Sequence, residues 1–371
     1  MTVLPRNLTL PARTRIGGGV RRELLSECEV FGRHGLIVHG SAFEQSGLRA
    51  ELPDRRGDGL SVALWKHPTG EPTLGQLQDL LAKARHVCAD WVAGVGGGSV
   101  LDLAKACAGL LHATESPRAY HDGAPLPLSR TPFIAAPTTA GTGSEATTVS
   151  VLTNEQTGVK KSIRHASHMA QCVLLDHELL WNCPPPVIAS SGMDALTQAV
   201  ESFVSTGASW ITDALALKAL ELIAGSLEDV YGGERGTATE ALLLGSYLAG
   251  VALSNARLGL VHGLAHPLGA RAHLPHGLVC AVCLPHVLRF NREAMGEKYA
   301  RLSTATGADL LHEVERLLGR LGIASPFAGK PFADPGEIVQ ETLASGSTKA
   351  NPRAATAEDV MRILTTLTAV A

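Results

Sequence analysis

Short apolar segments alternate with helical ones through the first half of the chain, and glycine-rich turns follow several of the apolar segments. Five segments are predicted as strands: residues 35–39, 90–95, 132–137, 149–152 and 171–176. Apolar residues at helical spacing occupy residues 73–83 and 100–111. Strands that alternate with helices in this way are typical of a parallel sheet covered by helices. We therefore expect the first half of the chain to be an α/β domain.

The pattern changes after three consecutive prolines at residues 184–186. Beyond about residue 188, helical patterns dominate and strand-like alternation is nearly absent. The predicted helices are residues 194–205, 210–226, 238–260, 276–290, 310–321 and 357–368. A chain of 371 residues is too long for one ordinary domain. We predict an α/β domain over residues 1–185 and an all-helical domain over residues 186–371.

Charge and composition exclude several classes of protein. The formal net charge is −3, and no basic run is present, so neither nucleic acid nor an anionic membrane is an expected partner. The N-terminus lacks the layout of a signal peptide, and we find no uninterrupted apolar run of membrane-spanning length. Seven scattered cysteines favour buried thiols in a reducing compartment. We expect a cytoplasmic protein.

Four polar side chains in the second half suggest a metal site. Asp194 and Gln198 are four residues apart and share one face of a helix, as do His262 and His266. His276 follows after prolines and a glycine that allow the chain to fold back. A carboxylate and imidazoles that converge from two helices match the ligands of a catalytic divalent metal. Gln198 is the exception, because a neutral amide oxygen is a poor transition-metal ligand beside imidazole.

Three glycines and a serine separate a predicted strand from a predicted helix. Backbone N–H groups at a helix N-terminus attract phosphate, and Gly96, Gly97 and Gly98 carry no Cβ to block its approach. We predict that Ser99 caps the helix and that Asp102 lies in its first turn, where a carboxylate is favoured. The alternative is a tight turn that needs glycine only for its geometry.

Two further loops follow predicted strands and strengthen the interpretation as a dinucleotide site. One carries hydroxyls that can donate to a diphosphate: Thr138, Thr139, Thr142 and Ser144. The other contains Gly40 and Ser41 and has no carboxylate where many dinucleotide sites hold the ribose 2′-hydroxyl. A site without that carboxylate should tolerate a 2′-phosphate, which favours NADP over NAD.

Together these segments resemble the iron-type (group III) alcohol dehydrogenase family, over residues 16–301 at least. The matching segments are GGGSVLDLAK at 96–105, PTTAGTGSE at 137–145, GMDALT at 192–197, GLVHGLAHPLG at 259–269, LPHG at 274–277 and LPHV at 284–287. The resemblance implies a Rossmann-like N-terminal domain and a helical C-terminal domain, with the cofactor and metal in the cleft between them. It also implies reduction of small aldehydes or oxidation of primary alcohols with NAD or NADP.

The resemblance also assigns roles to individual residues. The implied ligands of a divalent metal, iron or zinc, are Asp194, Gln198, His262 and His276. His266 would be the nearby histidine that relays a proton, and without a metal the three histidines would donate hydrogen bonds to the oxyanion. The implied cofactor contacts are Gly96, Gly97, Gly98, Ser99, Thr138 and Thr139, with Lys160 beside them. We expect a homo-oligomer, a dimer, built on contacts of the helical domain.

The chain departs from the family pattern in two ways. The second ligand is normally histidine, where this chain has Gln198, and the acidic residue common in NAD-using members is replaced by Gly40. Three alternatives remain open: a metal-independent reductase of an anionic carbonyl compound, similar to maleylacetate or phosphonoacetaldehyde, a lyase of the dehydroquinate synthase type, and a non-catalytic relative. Asp194 argues against the maleylacetate reductase branch, which has asparagine there.

A set of basic residues could bind an anionic group of the substrate. These residues are Arg164, His165, His168 and Arg257. Solvated surface charge is the simpler interpretation of all of them.

Overall fold

The computed structural model describes residues 7–52 and 59–369, which form two compact units. The α/β unit contains Thr9–Pro184 and Arg235–Leu243, and the helical unit contains Pro185–Glu234 and the chain from Leu244 onward. The helical unit thus begins within one residue of the predicted boundary. The short segment 235–243, which we had assigned to the helical domain, groups with the α/β unit instead.

The α/β unit is built on a parallel sheet of six strands in the order β1-β8-β5-β4-β2-β3. Its strands are β1 (Thr14–Ile16), β2 (His34–His39), β3 (Ser61–Lys66), β4 (Trp91–Gly96), β5 (Phe133–Pro137) and β8 (Cys172–Leu175). Every residue of β4 and β5 is buried, as expected for strands covered on both faces. The predicted parallel sheet is confirmed, and the sequence missed β1 and β3.

The predicted strand at residues 149–152 belongs to a separate hairpin and not to this sheet. It is β6 (Val149–Thr153), which pairs antiparallel with β7 (Lys160–Arg164). The hairpin joins β5 to β8 along the chain.

The described residues before Pro185 contain six helices: α1 (Leu24–Glu29), α2 (Ser41–Gln45), α3 (Leu48–Glu51), α4 (Leu74–His86), α5 (Gly98–Leu110) and α6 (Pro117–His121). A capping box formed by Thr73 and Gln76 starts α4. The N-cap of α5 is Gly97, without a side-chain cap, and Ser99 lies inside the first turn. The predictions that Ser99 caps this helix and that Asp102 lies in its first turn are therefore wrong, because the helix starts at Gly98, two residues earlier than a cap at Ser99 would give.

From residue 185 to residue 369, the last one described, there are ten helices: α7 (Pro185–Val204), α8 (Trp210–Ala224), α9 (Leu227–Tyr231), α10 (Thr237–Ala256), α11 (Leu260–Ala272), α12 (His276–Met295), α13 (Glu297–Thr306), α14 (Leu310–Arg320), α15 (Pro335–Ala344) and α16 (Ala357–Thr368). All six predicted helices are present, and α9, α11, α13 and α15 were not among them. Within residues 7–52 and 59–369, α10 has the length and mean hydropathy of a membrane span, and more than half of that stretch is buried in the protein.

Two local features place the candidate metal residues. Because α7 begins at Pro185 and not at the predicted residue 194, Asp194 lies in the middle of the helix. Pro267 is inside α11, so the chain turns back later than predicted, at His273, which has a left-handed φ of 51°. Helix α12 lies close against α7, since a Cβ on Gly277 would be 2.3 Å from the carbonyl oxygen of Ser190.

Candidate active site

Three predicted ligands meet in the helical unit. Asp194 comes from the middle of α7, His262 from the first turn of α11, and His276 is the first residue of α12. Oδ1 of Asp194 lies 3.3 Å from Nε2 of His262, and the rings of His262 and His276 have centroids 5.4 Å apart. One candidate ligand atom from each of these residues and from Cys280 falls within a common 4.8 Å. The predicted convergence from neighbouring helices therefore occurs.

Several polar atoms in this cluster are buried without a hydrogen bond. In the described part of the chain, Asp194 Oδ1, Gln198 Oε1 and His262 Nε2 are such atoms, and their residues are at most 3 % exposed. A buried polar atom left without a partner costs about 1–3 kcal/mol. A bound divalent cation would compensate the carboxylate and the imidazole, so the donor set fits a metal. Gln198 is thus buried and does not face solvent.

Asp194 is kept ionised by its neighbours. Burial alone would raise the pKa of its carboxyl group, but the neighbouring imidazoles of His262 and His276 outweigh burial and lower that pKa. An ionised carboxylate is the form that binds cations.

Glu201 was not predicted, yet it orients His262. Its Oε2 is 2.6 Å from Nδ1 of His262, and its Oε1 accepts a hydrogen bond of 2.6 Å from the backbone N–H of Val261. The backbone N–H of Leu260, which also lacks a partner within α11, donates a hydrogen bond to Oδ1 of Asn351. A carboxylate at Nδ1 holds the proton there and leaves Nε2 as the ligand atom. The only sequence signal was an acidic residue seven positions after Asp194.

Two more residues complete the surroundings of the cluster. His266, the predicted proton relay, is half-buried, and its ring stacks on that of His276 with centroids 5.2 Å apart. The Sγ atom of Cys280 lies 3.6 Å from Nε2 of His276. Burial raises the pKa of the Cys280 thiol to about 12. Its composition-based interpretation as one of several buried thiols overlooks that Cys280 follows His276 by four residues, which places both on one helix face.

The predicted phosphate loops pack tightly against each other in the α/β unit. A Cβ on Gly98 would lie 2.6 Å from Cγ2 of Thr142, and one on Gly97 would lie 3.3 Å from Thr139. Thr138 N–H donates to the carbonyl oxygen of Gly96 at 3.0 Å. Glycine at 98 is therefore required for the close approach of the two loops, while the start of α5 leaves backbone N–H groups available.

The third predicted loop lies at the same edge of the sheet. Strands β2 and β4 are neighbours, and the N–H of Gly40 donates to the carbonyl oxygen of Val95 at 3.1 Å. Ser41 is exposed and begins α2. In a doubly wound sheet, ligands bind where the strand order reverses at the carboxyl ends, and β2 and β4 meet at such a point.

Comparisons with known proteins agree with this arrangement. The model of the iron-containing alcohol dehydrogenase family matches residues 11–177, and the C-terminal model of the Fe-containing alcohol dehydrogenase family matches residues 188–368. The chain belongs to the iron-containing alcohol dehydrogenase family. It is therefore an oxidoreductase that acts on CH–OH groups, and the alternatives of a lyase and of a non-catalytic relative lose their support.

Individual relatives cover nearly the whole length of this dehydrogenase. It is 35 % identical to a probable alcohol dehydrogenase EutG of Escherichia coli K12, over 96 % of this chain and 93 % of the relative. It is 34 % identical to a lactaldehyde reductase of the same organism, over 88 % of this chain and 90 % of the relative. The structure of sulfoacetaldehyde reductase from Bifidobacterium kashiwanohense in complex with NAD+ superposes on this chain with a TM-score of 0.90 at 28 % identity. The match covers 97 % of this chain and 98 % of the reductase.

Two predicted cofactor residues of the dehydrogenase are engaged in internal bonds. Ser144 Oγ donates to Oδ1 of Asp102 at 2.5 Å, and Val151 N–H donates to Oδ2 at 2.9 Å. Lys105 is fully buried beside them and donates to the carbonyl oxygens of Ser144 and Val149, each at 2.6 Å. These bonds fasten the second loop and β6 to α5, which differs from the direct cofactor contact expected of both residues. Burial lowers the pKa of Lys105 to about 8.

The remaining basic candidates differ in their exposure and in their partners. Lys160, on β7, pairs with Glu71 at 2.7 Å. Arg164 is exposed on the same strand, and Arg257 is exposed in the helical unit after α10. His168 is 1 % exposed and packs on α5 at Gly109. The suggestion that His168 binds a substrate anion is therefore wrong.

Proposed function

We propose that this dehydrogenase transfers hydride between the nicotinamide of NADP(H) and small aldehydes or primary alcohols, with the assistance of a divalent metal. The observation that supports it best is the buried cluster of Asp194, His262 and His276. These residues, with a fourth donor, would hold the metal, and a bound divalent cation polarises a carbonyl oxygen as a Lewis acid. Relatives that reduce lactaldehyde and sulfoacetaldehyde support a small aldehyde as the substrate class.

The α/β unit would bind the cofactor through its loops. The N–H groups at the start of α5, after Gly96 and Gly97, suit a diphosphate. In the reductive direction, a bound nicotinamide would supply hydride from C4 to the carbonyl carbon, and the carbonyl oxygen would need a proton. His266 is proposed to deliver that proton, since it is half-buried and stacks on a ligand histidine.

The preference for NADP follows from the end of β2. Gly40 leaves no carboxylate to repel a 2′-phosphate. Lys66 ends the neighbouring strand β3 as the register partner of His39, and its exposed ammonium pairs with Glu44 at 2.9 Å. We propose that Lys66 exchanges this weak surface pair for the 2′-phosphate.

The test is cofactor consumption by purified protein with a panel of small aldehydes, before and after removal of metal. We expect NADPH oxidation with lactaldehyde or sulfoacetaldehyde, a loss of at least about tenfold on chelation, and recovery on addition of ferrous iron or zinc. Without NADPH or NADH consumption by metal-loaded protein on any aldehyde or alcohol, the proposed function fails.

A second outcome concerns the mechanism alone. If the protein reduces aldehydes, carries no stoichiometric metal and loses nothing to chelator, the metal-assisted version is wrong. His262, His266 and His276 would then act as hydrogen-bond donors to the developing oxyanion.

A further inference from the structure

We propose that Cys280 is a metal ligand, so that the site is formed by Asp194, His262, His276 and the Cys280 sulfur, and that this ligand set selects zinc over ferrous iron. The inference rests on the metal site of the proposed function. It goes further by assigning the fourth ligand to a residue other than Gln198 and by specifying the kind of metal.

The positions of the four ligand atoms carry the argument. Zinc–nitrogen and zinc–oxygen distances of about 2.0–2.2 Å imply a tetrahedral edge of about 3.4 Å, and an edge that includes sulfur at 2.3 Å is about 3.6 Å. The observed separations are 3.3 Å for Asp194 Oδ1 to His262 Nε2 and 3.6 Å for Cys280 Sγ to His276 Nε2. All four atoms lie within 4.8 Å of one another, so a small contraction would close the site.

The surroundings of Cys280 point inward to the same place. Cys280 lies one helical turn after His276 on α12, and it is fully buried. Its sulfur lies within 4.8 Å of a ligand atom of His262 and of Asp194. Independent of the cysteine, Asp194 Oδ1 and His262 Nε2 are buried and lack hydrogen bonds within the described residues. The sulfur therefore borders a space that two unsatisfied ligand atoms already face.

Ligand chemistry favours Cys280 over Gln198. The amide oxygen of Gln198 is neutral, whereas a cysteine that binds metal does so as a thiolate and releases its proton to solvent. Thiolate is a soft ligand that zinc binds readily. A site made only of carboxylate and imidazole ligands would allow ferrous iron to compete with zinc. Loss of an imidazole at position 198 is thus compensated by a stronger donor on the opposite helix. Zinc can expand to five ligands, which leaves room for a substrate oxygen.

Cys283 provides a matched control. It is also fully buried on α12, three residues after Cys280, but it is not part of the four-residue cluster. Replacement of either cysteine by serine changes one buried sulfur atom in the same helix, so the two variants should suffer similar effects on folding.

The experiment is cobalt substitution and metal competition on the full-length protein. Cobalt-loaded wild type and C283S should show a thiolate-to-cobalt charge-transfer band, and C280S should lack it. The zinc affinity of C280S should fall by about 100-fold. Loss of a residue that merely hydrogen-bonds to a metal ligand costs about 10–100-fold, and loss of a ligand itself should reach at least the upper end of that range. Wild type offered equal zinc and ferrous iron should retain zinc. A C280S protein that keeps the band and the affinity overturns the proposal.

X-ray absorption of the zinc-loaded wild type needs no variant and decides the matter if C280S does not fold. One sulfur neighbour at about 2.3 Å is expected, and a shell of nitrogen and oxygen only would overturn the inference.

The proposed function and the proposed role of Cys280 can be refuted independently. Zinc–sulfur coordination without aldehyde reduction would refute the function alone, whereas aldehyde reduction with a sulfur-free metal shell would refute only the role of Cys280.

Discussion

The carboxylate of Glu201 lies 2.6 Å from Nδ1 of His262 and thereby fixes which nitrogen of that ring faces Asp194. Both partners are almost fully buried, on α7 and α11. The second oxygen of Glu201 holds the first turn of α11 through the N–H of Val261. The Glu201 side chain thus sets both the position of the start of α11 and the tautomer of His262.

Replacement of Glu201 by alanine should weaken metal binding by about 10–100-fold, because the imidazole loses its orienting partner and basicity. Competition with a chromophoric chelator measures this. Glu201→Gln keeps the shape and one hydrogen bond, so its loss should be smaller. Equal affinity of wild type and Glu201→Ala would show that His262 is positioned without Glu201.

Substitution of Gly40 by aspartate should shift the cofactor preference from NADP toward NAD by at least about tenfold in the ratio of kcat/KM values, since the new carboxylate would repel the 2′-phosphate. The backbone tolerates the change: φ is −100°, and a Cβ would lie 3.5 Å from Val100, an ordinary contact.

Gly40→Asn is the matched control for the charge. It should leave the ratio within a few-fold of wild type. If Gly40→Asp and Gly40→Asn have the same ratio of kcat/KM values, the charge at position 40 does not select the cofactor.

Replacement of Gly98 by alanine should weaken cofactor binding by about tenfold or more, because the added Cβ at 2.6 Å from Thr142 forces the two phosphate loops apart. Titration of NADPH fluorescence gives the Kd. In Gly336→Ala, within α15, the new Cβ meets no atom within 4 Å, and the affinity should be unchanged. Wild-type affinity in Gly98→Ala would mean that the loops do not contact the cofactor in this arrangement.

The sequence predicts best those elements whose signal is local. Strands β4 and β5 are buried on both faces and therefore form continuous apolar runs, which are easy to recognise. Strand β1 has three residues and is largely exposed, and β3 is a half-buried edge strand, so neither shows a strong pattern. The spacing of Asp194, His262 and His276 was enough to predict their convergence.

Partnerships between distant residues could not be predicted in the same way. Asp102 bonds to Ser144 and to the backbone of Val151, which are 42 and 49 residues away. An acidic residue close to the start of a helix that follows a glycine loop is equally consistent with a cofactor contact and with this internal bond. Glu201 is recognisable as a partner of His262 only once the first turn of α11 is known to lie beside α7.

Acid should destabilise the protein through His168. Burial lowers the pKa of this histidine to about 4, below its usual 6.5. Between pH 6.5 and 4 the unfolded chain therefore binds a proton that the folded protein does not, and stability falls as pH decreases through this window, by up to about 3 kcal/mol. Stability above pH 6.5 is unaffected by this group.

Denaturant unfolding of His168→Phe tests this expectation. Phenylalanine keeps a ring against Gly109 but cannot bind a proton, so the decline of the free energy of unfolding from pH 6.5 to 4 should become shallower. His112→Phe, which changes an exposed histidine, should retain the decline of wild type. An identical pH dependence of His168→Phe and wild type would show that His168 does not contribute.

Introduction of histidine at position 198 should change which metal the site prefers. A histidine at position 198 would give the site one carboxylate and three imidazoles, a set of ligands that ferrous iron also binds. We therefore expect Gln198→His to bind ferrous iron at least about tenfold more tightly than wild type. Gln198→Leu removes the neutral oxygen and keeps a side chain of similar size. If Cys280 supplies the fourth donor, this second variant should change zinc affinity by less than about threefold. A Gln198→His protein with wild-type iron affinity would show that position 198 does not reach the metal, whereas a large loss of zinc in Gln198→Leu would restore Gln198 as the ligand.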